Sequence, residues 1–117
     1  MALVPRVQSL IRALPTSERY ALASQMRRAS RSVPANIAEG YAKRRSAKEF
    51  RAYLTTAMGS ANEMKVHLAI AQELGYRSED DQLTEDYDIL GRQLNRLISS
   101  WQAGPPEVPN QQQATSN

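Results

Sequence analysis

The chain contains no cysteine and only one histidine. The first absence excludes disulfides and thiolate metal sites, and it fits a reducing compartment. The second leaves His67 without a companion ligand, so a structural or surface histidine is expected and no metal or cofactor. Long apolar runs are missing as well. Arg6 and Arg12 interrupt the opening MALVPRVQSLIRALP, which has neither signal-peptide nor membrane-span length, so a soluble cytoplasmic protein is expected. Nowhere do apolar residues alternate at two-residue spacing over a β-branched stretch, so no strands are expected. A Gly-rich phosphate loop, G-x-S-x-G and H-E-x-x-H are also absent, and no catalytic residue is assigned.

What is present is a helical pattern. The 117 residues suffice for one domain with its own core. Phe50, Leu54, Ala57, Ala61, Met64, Leu68 and Ala71 recur at alternating steps of four and three, as do Leu83, Tyr87, Leu90, Leu94, Leu97 and Trp101. Shorter runs of the same kind link Leu3, Val7, Leu10 and Leu14, and then Leu22, Met26, Ala29 and Val33. That spacing is the seam of helices packed nearly side by side. Punctuation agrees with it. Pro15 ends a first helix, and Thr16 or Ser17 can cap a second, with Glu18 in its first turn. Ser46-Ala-Lys-Glu49 reads as a capping box. Gly75 suits a left-handed cap after Leu74, and Ser78 can cap a fourth helix. The expected fold is all-α: an antiparallel up-and-down four-helix bundle over 1–103, then a polar, Pro-rich and disordered tail over 104–117.

Pro34 falls where the flanking pattern is helical. It lacks an N–H and its ring opposes the carbonyl of Ser30, so the second helix is expected to kink, or to stop and restart. Asn36 and Glu39 share a face and can satisfy backbone groups that the kink frees. Gly59 lies halfway along the third helix, where a glycine costs about 1 kcal/mol relative to alanine. Close packing against the Pro34 region, where Ala35, Ala38 and Gly40 are small enough to permit close backbone approach, would explain it.

Net charge is a modest +3, but its distribution is uneven. Arg27, Arg28, Arg31, Lys43, Arg44, Arg45, Lys48 and Arg51 lie in one span against Glu39 and Glu49. Glu79, Asp80, Asp81, Glu85, Asp86 and Asp88 then form a run with no base between them. Two readings stand open. The basic cluster can neutralise phosphates, with Tyr41 stacking on an unpaired base. Alternatively, it is a solvated face that pairs with the acidic fourth helix of a neighbouring subunit or partner protein.

Several of these residues carry a resemblance: Gln25-Met26-Arg27-Arg28-Ala29, Ser32-Val33-Pro34-Ala35-Asn36-Ile37-Ala38-Glu39-Gly40, Lys48-Glu49-Phe50, Ala57-Met58-Gly59-Ser60 with Glu63, and Leu74-Gly75-Tyr76. From about Leu10 to Trp101 the chain resembles the bacterial proteins named for being encoded in intervening sequences of 23S rRNA genes. The resemblance implies a four-helix bundle that assembles into a ring-like homo-oligomer, most simply a pentamer, without enzymatic activity. It gives Ser32, Pro34, Asn36, Glu39, Gly40 and Gly59 the place of a structural motif. Accessory proteins of diversity-generating retroelements share the fold and hold nucleic acid on a basic surface. With the basic cluster, this leads to the expectation of a homo-oligomer that binds nucleic acid, RNA first, by electrostatic contact.

Overall fold

A computed structural model of the chain describes residues 3–76, 80 and 82–102. The expected tail from Gly104, the Ser78 cap, Glu79 and Asp81 lie outside the described residues. Four α-helices follow one another: α1 Leu3–Ala13, α2 Ser24–Ala42, α3 Ala47–Glu73 and α4 Leu83–Ser100. Among the described residues there is no strand.

Each boundary has a local cause. Helix α1 stops two residues before Pro15, as the restriction on the residue preceding proline requires. Helical winding resumes at Thr16, earlier than α2 proper. A 3-10 turn, Thr16–Glu18, passes into a π-helical stretch, Arg19–Ala23, and α geometry begins only at Ser24. Helix α2 itself follows Ala23 without a side-chain cap, so the cap expected at Thr16 or Ser17 does not stand at its start. Helix α3 starts where Ser46 Oγ accepts the Glu49 N–H at 3.1 Å. It ends at a left-handed Gly75, φ 84°. There Tyr76 N–H reaches back to the Ala71 carbonyl at 2.8 Å and Gly75 N–H to that of Gln72 at 3.0 Å, the paired bonds of a Schellman ending. Ahead of α4, Asp80 Oδ1 accepts the Gln82 N–H at 3.2 Å.

Helix α2 runs unbroken through Pro34, so it does not stop and restart there. Asn36 Nδ2 donates to the Ser32 carbonyl at 2.8 Å and to Ser32 Oγ at 3.0 Å, and Ser60 Oγ of α3 donates to Ser32 Oγ at 2.8 Å. Asn36 thus serves the carbonyl of Ser32 rather than that of Ser30, and the Ser60–Ser32 hydrogen bond ties the proline turn to α3.

The apolar seams face one another. Val7, Leu10, Ile11 and Leu14 of the first segment pack with Leu22, Met26, Ala29 and Val33, with Ala61, Met64, Leu68 and Ala71 of α3, and with Leu83 and Tyr87 of α4. A second cluster, Phe50, Leu54, Ala57 and Leu94, joins the first through Ile37 and Leu90. Each large side chain buried in this way contributes about 1.5–3 kcal/mol. Trp101 closes the far end, edge-on to Phe50 with ring centroids 4.8 Å apart. One expected core position differs. Leu97 is 38 % exposed and Ile98 packs in its place. A straight helix of 3.6 residues per turn drifts from a strict seven-residue repeat, and by the last turn of α4 the seam has moved over by one residue.

Contacts run in opposite order along neighbouring helices. Arg28 meets Glu63, Ser32 meets Ser60, and Gly40 lies on Tyr53. Between α3 and α4, Lys65 meets Asp88 and Phe50 meets Trp101.

Candidate nucleic-acid interface

The α2–α3 connection is a tight turn built on three backbone bonds: Lys43 N–H to the Gly40 carbonyl, Arg44 N–H to that of Tyr41, and Ser46 N–H to that of Lys43, at 3.0–3.2 Å. Gly40 makes the turn tight. A Cβ there would sit 2.7 Å from Tyr53 Cβ and 3.1 Å from the Phe50 ring. Only hydrogen fits, and the two backbones close on each other directly before the basic run. Bases at this position also face the negative end of the α2 dipole.

The turn bases have different partners. Lys43 Nζ donates to Tyr53 Oη at 3.0 Å and lies 3.5 Å from Glu39 Oε2. The hydrogen bond to Tyr53, chiefly, and the Glu39 carboxylate hold its ammonium above the ordinary lysine value. Arg44 donates to the Tyr41 carbonyl at 2.9 Å and stacks over the Tyr41 ring, 3.9 Å from its centroid. Tyr41 itself is 57 % exposed, so one ring face carries a guanidinium while the ring stays open to solvent. Arg51 donates to the carbonyls of Trp101 and Gln102, tying the start of α3 to the end of α4. Arg45 and Lys48 are exposed and have no ion pair among the described residues.

The remaining members of the cluster lie elsewhere. Arg31 precedes Lys43 by twelve helical residues, about 18 Å at 1.5 Å per residue. The hairpin does not fold Arg27, Arg28 and Arg31 back onto the turn; it sets them beside the second half of α3, where Arg28 pairs with Glu63 at 3.2 Å. The eight bases therefore form two groups, one at the turn and one along α2. Carboxylates engage only Arg28 and Lys43 of them; Arg27, Arg31, Arg44, Arg45, Lys48 and Arg51 have no carboxylate partner among the described residues.

The described carboxylates of the acidic run are answered from within the chain, by bases that sequence reasoning did not single out. Arg6 of α1 holds both Asp80 and Asp86, the latter at 2.7 Å. Lys65 holds Asp88 at 2.9 Å, and Arg92 reaches Asp88 and, at 4.0 Å, Glu85. The Arg6 hydrogen bond keeps the Asp80 carboxyl below the usual carboxylate range, and the Lys65 hydrogen bond does so for Asp88. Arg92 sits four residues after Asp88 and was legible as a helix pair. The Arg6 contacts join residues 74 or more positions apart in the sequence, and no local pattern announces them.

Asn36, Glu39 and His67 occupy three separate settings. Asn36 is held by Ser32, and Glu39 is exposed beside Lys43. His67 is buried, its Nε2 3.0 Å from Glu63 Oε2 and its Nδ1 without a partner among the described residues. No group of three or more His, Cys, Asp or Glu side chains suited to a metal occurs among the described residues. No described helix is long and apolar enough to cross a membrane. Gly59 differs from expectation: a Cβ there would meet nothing within 4 Å, so contact with the Pro34 region does not account for it.

No curated protein matches the chain. The family model of the 23S rRNA-intervening sequence protein matches it over residues 1–96. That match spans α1 to α3 and most of α4, and includes the α2–α3 turn with both basic groups. The chain belongs to the family of 23S rRNA-intervening sequence proteins.

Proposed function

We propose that the chain is a non-enzymatic, homo-oligomeric helical bundle that holds nucleic acid, RNA in the first place, by phosphate contact from the α2–α3 turn. The finer architecture in this reading is an antiparallel up-and-down bundle, bent in α2 at Pro34, and its assembly is the ring of five that the family resemblance implies. One observation carries it: Asp80, Glu85, Asp86 and Asp88 of the acidic run are paired within the chain, whereas Arg44, Arg45, Lys48 and Arg51 at the turn keep their charge unanswered by any described carboxylate. Arginine predominates there, and its planar fork suits phosphate oxygens. Tyr41 supplies a ring on which an unpaired base can stack. The family's link to 23S rRNA is compatible with RNA as the polyanion.

The competing reading pairs the basic cluster with the acidic fourth helix of another subunit. It has less support, because Asp80, Glu85, Asp86 and Asp88 are already engaged by Arg6, Lys65 and Arg92 of the same chain. An enzymatic reading would have to draw on Asn36, Glu39 and His67, and their dispersal into three settings supports leaving catalysis out.

Fluorescence anisotropy of labelled single-stranded and structured RNA across a salt series tests the proposal. On single strands, log K is expected to fall with log salt by about 0.7 per phosphate contact. The Arg44→Ala/Arg45→Ala variant, with its oligomeric state intact, loses about two such contacts and flattens the slope accordingly. No binding at low salt, or a slope untouched by the variant, overturns it.

A further inference from the structure

Helix α3 carries a second seven-residue repeat, on the side away from the core. Ala52, Thr55, Gly59, Asn62, Val66 and Ala69 follow one another at steps of three and four, and every one is exposed. None is charged. Lys48 extends the repeat by one step at its start and Glu73 by one step at its end, both exposed. A helix in contact with water on this face is expected to carry charge along it; here charge appears only at the two ends.

Three observations show that the face is built for contact. Val66 is 56 % exposed and Ile70, beside it, 41 %. The threonine hydroxyls turn inward, Thr55 Oγ1 to the Arg51 carbonyl at 2.8 Å and Thr56 Oγ1 to that of Ala52 at 3.1 Å. Their polar groups are thereby satisfied and their methyls are left outward. Gly59, which nothing inside the chain explains, sits mid-face and keeps the backbone bare there.

The arrangement also says what covers it. Read in reverse, the repeat matches itself: Lys48 falls opposite Glu73, Ala52 opposite Ala69, Thr55 opposite Val66, and Gly59 opposite Asn62. A second α3 laid antiparallel places small residues against small ones, Val66 against the Thr55 methyl, and the lysine at each end against a glutamate. We propose that the outer face of α3 is an antiparallel, two-fold contact with a second copy of this chain. Such a contact closes on itself, so the assembly contains an even number of chains, and rings built by other faces are joined in pairs through α3. This rests on the homo-oligomeric part of the reading above; it engages Lys48 with Glu73 of the second copy, so the phosphate contacts of that reading then fall to Arg44, Arg45 and Arg51.

Because the chain has no cysteine, introduced thiols report contacts cleanly. The double variant Thr55→Cys/Val66→Cys, mildly oxidised, is expected to run as a covalent dimer on a non-reducing gel. Within one helix the two thiols are about 16 Å apart, too far to bond to each other. Either single variant is expected to stay uncrosslinked. Light scattering is expected to find an even number of chains in the wild type and half that number in Val66→Glu, with helical content retained. A wild type that is a single chain overturns both this contact and homo-oligomerisation. An oligomer that Val66→Glu leaves unchanged and the cysteines do not cross-link overturns the contact alone. Cross-linking of Thr55→Cys by itself means a parallel register and overturns the two-fold pairing.

Discussion

Two glycines in this chain do opposite things. At Gly40 the facing helix leaves no room: an added methyl would meet Tyr53 Cβ at 2.7 Å, backbone-borne and unable to swing away. Gly40→Ala is expected to destabilise the fold by about 1–3 kcal/mol, the ordinary cost of overpacking, read as a lower midpoint in chemical denaturation. Gly59 has open space around it. In the Val66→Glu background, where α3 faces only water, Gly59→Ala is expected to raise stability by about 1 kcal/mol through helix propensity. The same assay measures both. Sequence reasoning read Gly40 as permitting close backbone approach, which holds, and also expected close packing at Gly59 because a mid-helix glycine looks costly there, whereas the reason for a glycine lies in what faces it. Ser46 and Gly75 were legible for the converse reason: each serves its own backbone within three or four residues, so its task is written beside it.

Among the elements, α1 is the least deeply embedded, and a charged clasp binds it to the start of α4. Arg6 bridges Asp80 and Asp86, and Asp80 titrates below its ordinary 3.8 in the folded chain. A carboxyl with a lowered folded value stabilises the fold above 3.8 and loses that contribution as pH falls through the folded value. The wild type is therefore expected to lose stability on the acid side of 3.8, and Arg6→Ala to lose less over the same interval, starting from a lower value at neutral pH. Denaturation midpoints at neutral pH and at a pH below 3.8 check this. Helix number, the seams of α2 and α3 and the turn that holds the basic run were all readable from spacing, because a seam is a repeated local choice. Four features were not. The winding from Thr16 to Ala23 mixes helix types that differ little in local preference. The shift from Leu97 to Ile98 comes from drift accumulated along α4. The Arg6 clasp spans 74 residues, and the split of the basic cluster into two groups depends on which way α2 and α3 run past each other.

For the molecule as a whole, positive charge gathers at the α2–α3 turn and paired negative charge at the start of α4. About 25 Å of α3 separates Lys48 from Lys65, the latter already engaged by Asp88. In the proposed reading a polyanion is drawn to the turn end, with a pull that salt weakens. Arg51 belongs to that end, yet it is occupied, its guanidinium resting on the carbonyls of Trp101 and Gln102. A phosphate that recruits Arg51 must take it from those carbonyls. Ligand binding and the winding of the last turn of α4 then draw on the same donor, and each is achieved partly at the expense of the other. Hydrogen exchange is expected to record this as faster exchange of the amides of Ile98 to Gln102 when RNA is bound, with the amides of the α3 interior unchanged. Protection that stays constant at Trp101 would mean that Arg51 never leaves its carbonyls. In that case the guanidinium is a rivet rather than a contact, and the end of the molecule that meets the polyanion is as stiff with its cargo as without it.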